Sequence, residues 1–204
     1  KFKNELIFQN VSMEFEKGNS YGFVGPNGCG KSVFFKTLCG YSLLTEGQVI
    51  YRGKIIGKEQ DFIDDAGIVI EEPEFINSLS GLENLKILAE IQKKISEAEI
   101  IEVLKQFDLY EDRNKKVGKY SVGMKQKLRL AQAVMEKPQV LILDEPMNGL
   151  DKKSVKKVED ILKAFVENGG TLLMTSHIEQ QVEACCKIVY EIDGGEILRV
   201  TVLQ

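Results

Sequence analysis

The sequence predicts an α/β chain with a mostly parallel sheet, an antiparallel β edge and an inserted α-helical subdomain. Three observations predict this. Short β-type runs alternate with helical runs toward both ends of the chain. Two β-type runs flank Asp193-Gly194-Gly195, a hairpin signal. Between the alternating parts, from Ser80 to Glu136, apolar residues recur three and four apart, the spacing of one helix face.

The elements follow in order. Leu6 to Phe15 and Ser20 to Val24 read as strands, and Val33 to Cys39 as a helix behind a glycine-rich loop. Gln48 to Tyr51 and Gly67 to Ile70 are short strands. Ser80-Gly81-Leu82-Glu83 and Ser96-Glu97-Ala98-Glu99 each fit a capping box. In that box a Ser oxygen, and a Glu three residues on, satisfy exposed N–H groups at a helix start. The first box opens Leu85, Leu88 and Ala89; the second opens Ile100, Ile101, Val103, Leu104 and Phe107. Ser121 caps a third helix running to about Glu136. After Pro138 come a buried strand, Val140 to Leu143, a helix, Val155 to Val166, and a strand, Thr171 to Met174. Ile188 to Ile192 and Glu196 to Val202 form the closing hairpin. The chain reads as one domain, 1–204, carrying the helical subdomain at roughly 75–136.

Composition narrows the class. A chain of 204 residues can bury one sizeable core. Hydrophobic and charged contents of 43% and 28% suit a soluble globular protein. The net charge of −4 gives no reason to expect nucleic-acid binding. Cys29, Cys39, Cys185 and Cys186 form no CxxC pair, and a single histidine excludes a His-rich metal cluster. Reduced thiols in a cytosolic protein are expected. No apolar run reaches the length of a membrane span, and no signal peptide is visible. The chain begins at Lys1 rather than Met, so a few preceding residues are expected.

Gly25-Pro26-Asn27-Gly28-Cys29-Gly30-Lys31-Ser32 matches GxxxxGK[ST] completely, with a strand before it and a helix after it. Glycines let backbone N–H groups turn toward phosphate oxygens, and the helix start adds partial positive charge. Lys31 would reach the β and γ phosphates, and Ser32 would offer its hydroxyl to Mg²⁺. The bland alternative, a glycine-rich turn with a surface lysine, is disfavoured by the full motif and its flanks. Asp144 and Glu145 end the apolar run VLIL. Neighbouring side chains at a strand end point different ways, so Asp144 can serve the Mg²⁺ shell while Glu145 faces a water. Without a phosphate loop they would read as two solvated acids at a turn. His177, the single histidine, follows another strand on the same presumed sheet edge and could hydrogen-bond the γ-phosphate. A lone histidine is more often a helix cap; its position favours the site. Ser121 with Gly123 at a helix start makes a second anion site. One ATP has one γ-phosphate, so a second cradle makes sense if it serves the ATP of another copy. In isolation the same residues are an ordinary cap.

Together these motifs resemble the ATPase subunits of ATP-binding cassette (ABC) transporters over nearly the whole chain. The phosphate loop, Ser121-Val122-Gly123-Met124, the LILDE strand, Asn148-Gly149-Leu150-Asp151 and Thr175-Ser176-His177 occur in family order. The resemblance implies a P-loop NTPase (RecA-like) core that hydrolyses ATP with Mg²⁺. It implies catalysis by Glu145, His177 and Lys31, ATP binding along Gly25 to Ser32, and Ser121 and Gly123 acting in trans. Asp151 would sit at the dimer contact and Phe2 would stack on adenine. The metal would be held by Ser32 and Asp144, with Glu71 in a slot that the family fills with Gln. A carboxylate there can approach Mg²⁺ but cannot donate a hydrogen bond as an amide can. Tyr120, Val122 and Met124 also depart from the usual Leu-Ser-Gly-Gly-Gln. Cys29 replaces a smaller residue, and Lys3 stands where a Gly is usual.

The resemblance further implies a second ATPase subunit, as homodimer or heterodimer, and a transmembrane permease subunit as partners. It implies no nucleic acid and a cytoplasmic place, peripheral on the inner face of the membrane. Ile70-Glu71-Glu72-Pro73, SVGMKQKLRLAQAVMEKP and DEPMNGLD are similar to ATPases of bacitracin- and lantibiotic-type exporters. An exporter of a peptide antibiotic or a similar molecule is therefore expected. Docking is expected on Glu71 to Leu82, with Pro73 and an exposed Phe75 gripping a partner helix. The alternative is a non-transport cassette acting on ribosome or DNA. It is disfavoured because there is neither a second cassette nor a long coiled coil. A module that binds without hydrolysing is disfavoured by the presence of both Glu145 and His177.

Overall fold

Four parallel strands and a C-terminal hairpin make one six-stranded sheet. The computed structural model describes residues 7–71 and 75–202. The elements are β1 (Ser20–Val24), α1 (Lys31–Cys39), β2 (Ile50–Tyr51), β3 (Lys54–Ile55), β4 (Ala66–Val69), α2 (Gly81–Gln92) and α3 (Glu97–Gln106). They continue with α4 (Val122–Val134), β5 (Val140–Leu143), α5 (Lys152–Glu167), β6 (Thr171–Thr175), α6 (Glu179–Cys185), β7 (Ile188–Asp193) and β8 (Glu196–Val202). The sheet order is β4-β5-β6-β1-β7-β8, with every neighbouring pair parallel except β7 and β8. β2 and β3 form a separate small hairpin.

The central strands are apolar because both of their faces are covered. Leu141, Leu143, Leu172 and Met174 point into one core with Leu128 and Leu130 of α4, Val158 and Leu162 of α5, and Val182 of α6. The alternate residues, Ile142 and Leu173, point into the other with Tyr21, Phe23 and the α1 residues Phe34, Phe35 and Cys39. This two-residue alternation is the strand period itself. The second core is aromatic. Phe23 lies 5.2 Å from Phe34, 5.5 Å from Phe35 and stacks on Tyr190 at 5.5 Å between ring centroids. These contacts fix α1 against β1 and so fix the loop between them.

The helical segment starts where its caps are. Ser80 and Ser96 both complete capping boxes with Glu83 and Glu99. The run is less continuous than its periodicity suggests. Lys93 and Asp108 take left-handed φ values of 54° and 55°, and residues between Phe107 and Ser121 are turns around a short 3-10 turn, Val117–Lys119.

The expected strand from Leu6 to Phe15 is not one over its described residues, which lack regular structure. Its apolar residues serve packing instead. Phe8 sits 5.7 Å from Phe34, and Phe15 sits 4.9 Å from Tyr21. Asn10 turns left-handed at φ 54°, which interrupts any ladder. The sequence predicts neither α6 nor β3; each is too short to show a period.

One close approach sets the placement of α4. A Cβ on Gly67 would lie 2.0 Å from the Ala133 carbonyl oxygen and 2.7 Å from Leu141 Cδ2. Both neighbours are core, and the nearer one is backbone. Gly67→Ala is expected to destabilise the chain by about 3 kcal/mol. A melting temperature equal to that of the parent in a thermal unfolding scan would show that α4 can withdraw without cost.

Candidate functional site

The site lies where parallel topology brings strand ends together. β5, β6 and β1 are adjacent and run the same way, so the residues after them share one edge.

After β1, Gly25 takes φ 154° with its would-be Cβ 2.4 Å from the Ile192 carbonyl oxygen. Gly30 takes φ 107°, and a Cβ there would meet Ile7 at 2.6 Å and Phe8 at 2.9 Å. No larger residue fits either position, so the loop is pressed against β7 on one side and the N-terminal segment on the other. α1 then begins at Lys31 with no side-chain cap. Its first N–H groups are therefore left facing the loop. Pro26, Asn27 and Gly28 are exposed and Cys29 is half-buried. Lys31 is buried, and its ammonium donates to the carbonyls of Gly25 at 2.8 Å and Pro26 at 3.1 Å. The charge is thus held over the loop rather than in solvent.

After β5, Asp144 and Glu145 diverge as adjacent residues at a strand end must. The Asp144 carboxylate accepts from the Ser32 hydroxyl on one oxygen and from the Thr175 hydroxyl, at 2.6 Å, on the other. Thr175 Oγ1 in turn accepts from the Glu145 N–H at 2.9 Å. Glu145 takes a left-handed φ of 50°, and its Oε2 lies 2.8 Å from His177 Nδ1. A continuous polar chain therefore runs Ser32, Asp144, Thr175, Glu145, His177. Ser32 and Asp144 offer hard oxygen donors, the type Mg²⁺ takes. Among the described residues no three His, Cys, Asp or Glu side chains cluster as a metal cage.

Not every expected residue joins this group. Glu71 does not: its carboxylate pairs with Lys36 of α1, and its side chain is 62% exposed. Phe2 lies outside the described residues, as do Glu72 and Pro73 of the expected docking segment. Phe75, expected to be exposed, is half-buried and packs on the core that contains the helical segment, while Ile76 beside it is exposed. The following turn is held by Asn84, which bonds the Ile76 N–H and the carbonyls of Ile76 and Ser80.

Ser121 and Gly123 form a second surface. Ser121 Oγ accepts from the Met124 N–H at 3.2 Å, and Val122 beside it is 69% exposed. A Cβ on Gly123 would come 3.0 Å from the Gly149 carbonyl oxygen, so this helix start abuts the turn that leads to Asp151. Asp151 caps α5 through the Ser154 N–H at 2.8 Å, and this bond holds its carboxyl below the usual range. The bonds of Ser121 and Asp151 stay within their own helix starts. Tyr120 is a buried packing residue. Its hydroxyl donates to the Asp112 carbonyl at 2.9 Å, and burial pushes the phenol up to about 12.

Two contributors stand in quoted motifs that assign them no role. Thr175 carries a signal, since a hydroxyl two residues before His177 ends a strand at the same edge. Gln126 carries none: nothing in the sequence shows that its amide reaches the backbone after Glu145.

A family model described as ABC transporter matches residues 8–148. YybJ of Bacillus subtilis, named as an ABC transporter ATP-binding protein, is 37% identical over 197 residues, 97% of this chain and 90% of that protein. SrtF of Streptococcus pyogenes, named as a lantibiotic transport ATP-binding protein, is 34% identical over 197 residues, 97% of this chain and 85% of that protein. BcrA of Enterococcus faecalis, named as a bacitracin transport ATP-binding protein, is 32% identical over 200 residues, 97% of this chain but 65% of that protein. In structure, the chain matches the dimeric ATP-binding cassette MJ0796 in a post-hydrolysis state with ADP and phosphate. The TM-score is 0.88 at 24% identity, over 100% of this chain and 94% of that one.

Burial sorts the thiols. It pushes Cys39 and Cys185 up to about 12 and raises Cys186 well above the ordinary thiol value, leaving little thiolate near neutrality, and all three are buried, while Cys29 is half-buried. Iodoacetamide should modify half-buried Cys29 alone in the native chain and all four after unfolding. Native labelling of Cys185 or Cys186, read by mass spectrometry, would contradict the packing of α6.

Proposed function

We infer that this chain, which belongs to the ABC transporter family, works as a MgATP-driven subunit that pairs with a second ATPase subunit around two nucleotides. The observation that carries this is the polar chain from Ser32 to His177, built beside a phosphate loop on one sheet edge. ATP hydrolysis is the activity of the family, and the roles below are this chain's part in it.

Phosphate oxygens accept from N–H groups along the loop Gly25 to Ser32, in which Pro26 has none to give, and from the start of α1. Lys31 turns from the carbonyls of Gly25 and Pro26 to the β and γ phosphates. Ser32 and Asp144 would hold Mg²⁺, which when bound neutralises charge on the β and γ oxygens. Glu145 accepts the proton of the water attacking the γ-phosphorus, and the bond to the β–γ bridging oxygen breaks to release ADP. His177 orients the Glu145 carboxylate and reaches toward the γ-phosphate. Glu71 reaches a metal only by releasing Lys36, and Phe2 is assigned to the base. Ser121 and Gly123 serve the nucleotide of the partner subunit, with Asp151 at the contact. The exposure of Val122 beside Ser121 supports a surface that is covered only in a dimer.

The second half of the reading is a membrane partner. Among the described residues no helix is long and apolar enough to cross a membrane, and the partner assigned for coupling to transport is a transmembrane permease subunit. The segment from Glu71 to Leu82, at the entry to the helical subdomain of roughly 75–136, is assigned as its docking surface. The likeness to SrtF and BcrA, a lantibiotic and a bacitracin transport ATP-binding protein, supports a peptide antibiotic or a similar molecule as the cargo; export, driven from the inner face of the cell membrane, is the direction assigned.

Glu145→Gln should keep ATP affinity and lower turnover by about 10²–10⁴, the range for losing a general base; parent-like phosphate release would remove Glu145 from that role. Ser121→Arg should abolish turnover and leave the affinity of the single chain for ATP intact. If affinity fell with turnover in a nucleotide-binding titration, Ser121 would be acting on its own chain's nucleotide.

A further inference from the structure

We propose that Gln126 is a positioning residue for Glu145 of the same chain, so that the helix carrying Ser121 also sets the aim of the base. The inference rests on the reading of Glu145 as that base. Gln126 lies one turn into α4 and is buried. Its Nε2 donates to the Pro146 carbonyl at 2.8 Å and to the Glu145 carbonyl at 3.3 Å. Its Oε1 accepts from Arg129 Nη1 at 3.1 Å. A guanidinium only donates, so the amide oxygen must face Arg129 and the NH₂ must face the two carbonyls.

Glu145 is therefore held at both backbone groups. Thr175 Oγ1 takes its N–H from the β6 side, and Gln126 takes its C=O from the α4 side. The residue needs holding. At φ 50° it occupies the left-handed region, which a side chain with a Cβ resists. Relaxing that backbone would swing the carboxylate away from His177 Nδ1. Thr175 belongs to the rigid sheet, whereas Gln126 belongs to α4, whose first residues are Ser121, Val122 and Gly123. Gln126 thereby ties the helix that begins at Ser121, Val122 and Gly123 to the backbone of Glu145.

The test measures ATP turnover, ATP affinity and thermal unfolding of the full chain for Gln126→Glu, Gln126→Met, Glu145→Gln and the double variant Gln126→Glu with Glu145→Gln. Gln126→Glu keeps the size and the acceptor for Arg129 but loses the NH₂; Gln126→Met keeps only the size. Both should lower kcat about tenfold, the equivalent of one hydrogen bond lost at the transition state, with unchanged ATP affinity. The double variant should turn over no more slowly than Glu145→Gln alone in a single-turnover assay. Full kcat in either folded Gln126 variant would overturn the proposal. So would a further fall in the double variant, or a joint loss of affinity and melting temperature, which a purely structural glutamine would give. Full turnover in Glu145→Gln would instead remove the base reading on which the proposal stands. An inactive Glu145→Gln beside a fully active Gln126→Glu removes the proposal alone.

Discussion

The hydroxyl of Thr175 is the joint on which the site depends. It has no exposed surface, and it makes two bonds of opposite sense: it donates to Asp144 and accepts from the Glu145 N–H. One small group thereby ties the Asp144 carboxylate to the backbone of Glu145. A buried hydroxyl with both capacities used is rigid, because leaving either partner unsatisfied costs roughly 1–3 kcal/mol. Asp144 and Thr175 can meet only because β5 and β6 are parallel neighbours in register, with Leu143 opposite Met174.

The register is in turn a consequence of packing. Leu141, Leu143, Leu172 and Met174 fill one face and Ile142 and Leu173 the other, and a slip of one residue would exchange the faces. Fully burying each such side chain stabilises by about 1.5–3 kcal/mol. The exposed ion pairs, such as Lys86 with Glu97 and Lys137 with Glu99, contribute little, because water and salt screen them. The helical segment is therefore held by Leu85, Ile100, Leu104 and Leu128 in the shared core, and its ion pairs are secondary. The capping boxes at Ser80 and Ser96 act differently again, at about 1 kcal/mol each: they fix where helices begin more than how tightly they pack.

The departures from the family pattern have distinct physical readings. Tyr120 is buried and gives its hydroxyl to the Asp112 carbonyl, so it belongs to the packing under the helix start. Val122 stands on the surface with its side chain near Gly149, so it belongs to the face that Ser121 presents. Glu71 has taken a lysine partner, Lys36 of α1.

By itself the sequence determined the alternation of strands and helices, both capping boxes, the C-terminal hairpin and the GxxxxGK[ST] loop with its flanks. These are local. A helix period, a cap three residues from its partner and a glycine loop are each written within a few neighbouring positions, where propensity and spacing act directly. It also named Asp144, Glu145, His177 and Ser121, because each stands at the end of a legible element. What only the tertiary structure decided is which of these meet. The Ser32 to Asp144 bond spans 112 positions and the Thr175 to Asp144 bond 31, and no local pattern encodes either. The misread N-terminal strand has the same cause: Phe8 and Phe15 are apolar because α1 and β1 need partners there, a demand set by residues distant in the chain. Gln126 is the clearest case. Its sequence position says only that a polar residue sits one turn into a helix. Its burial against the Pro146 and Glu145 carbonyls exists only once α4 has docked on the sheet.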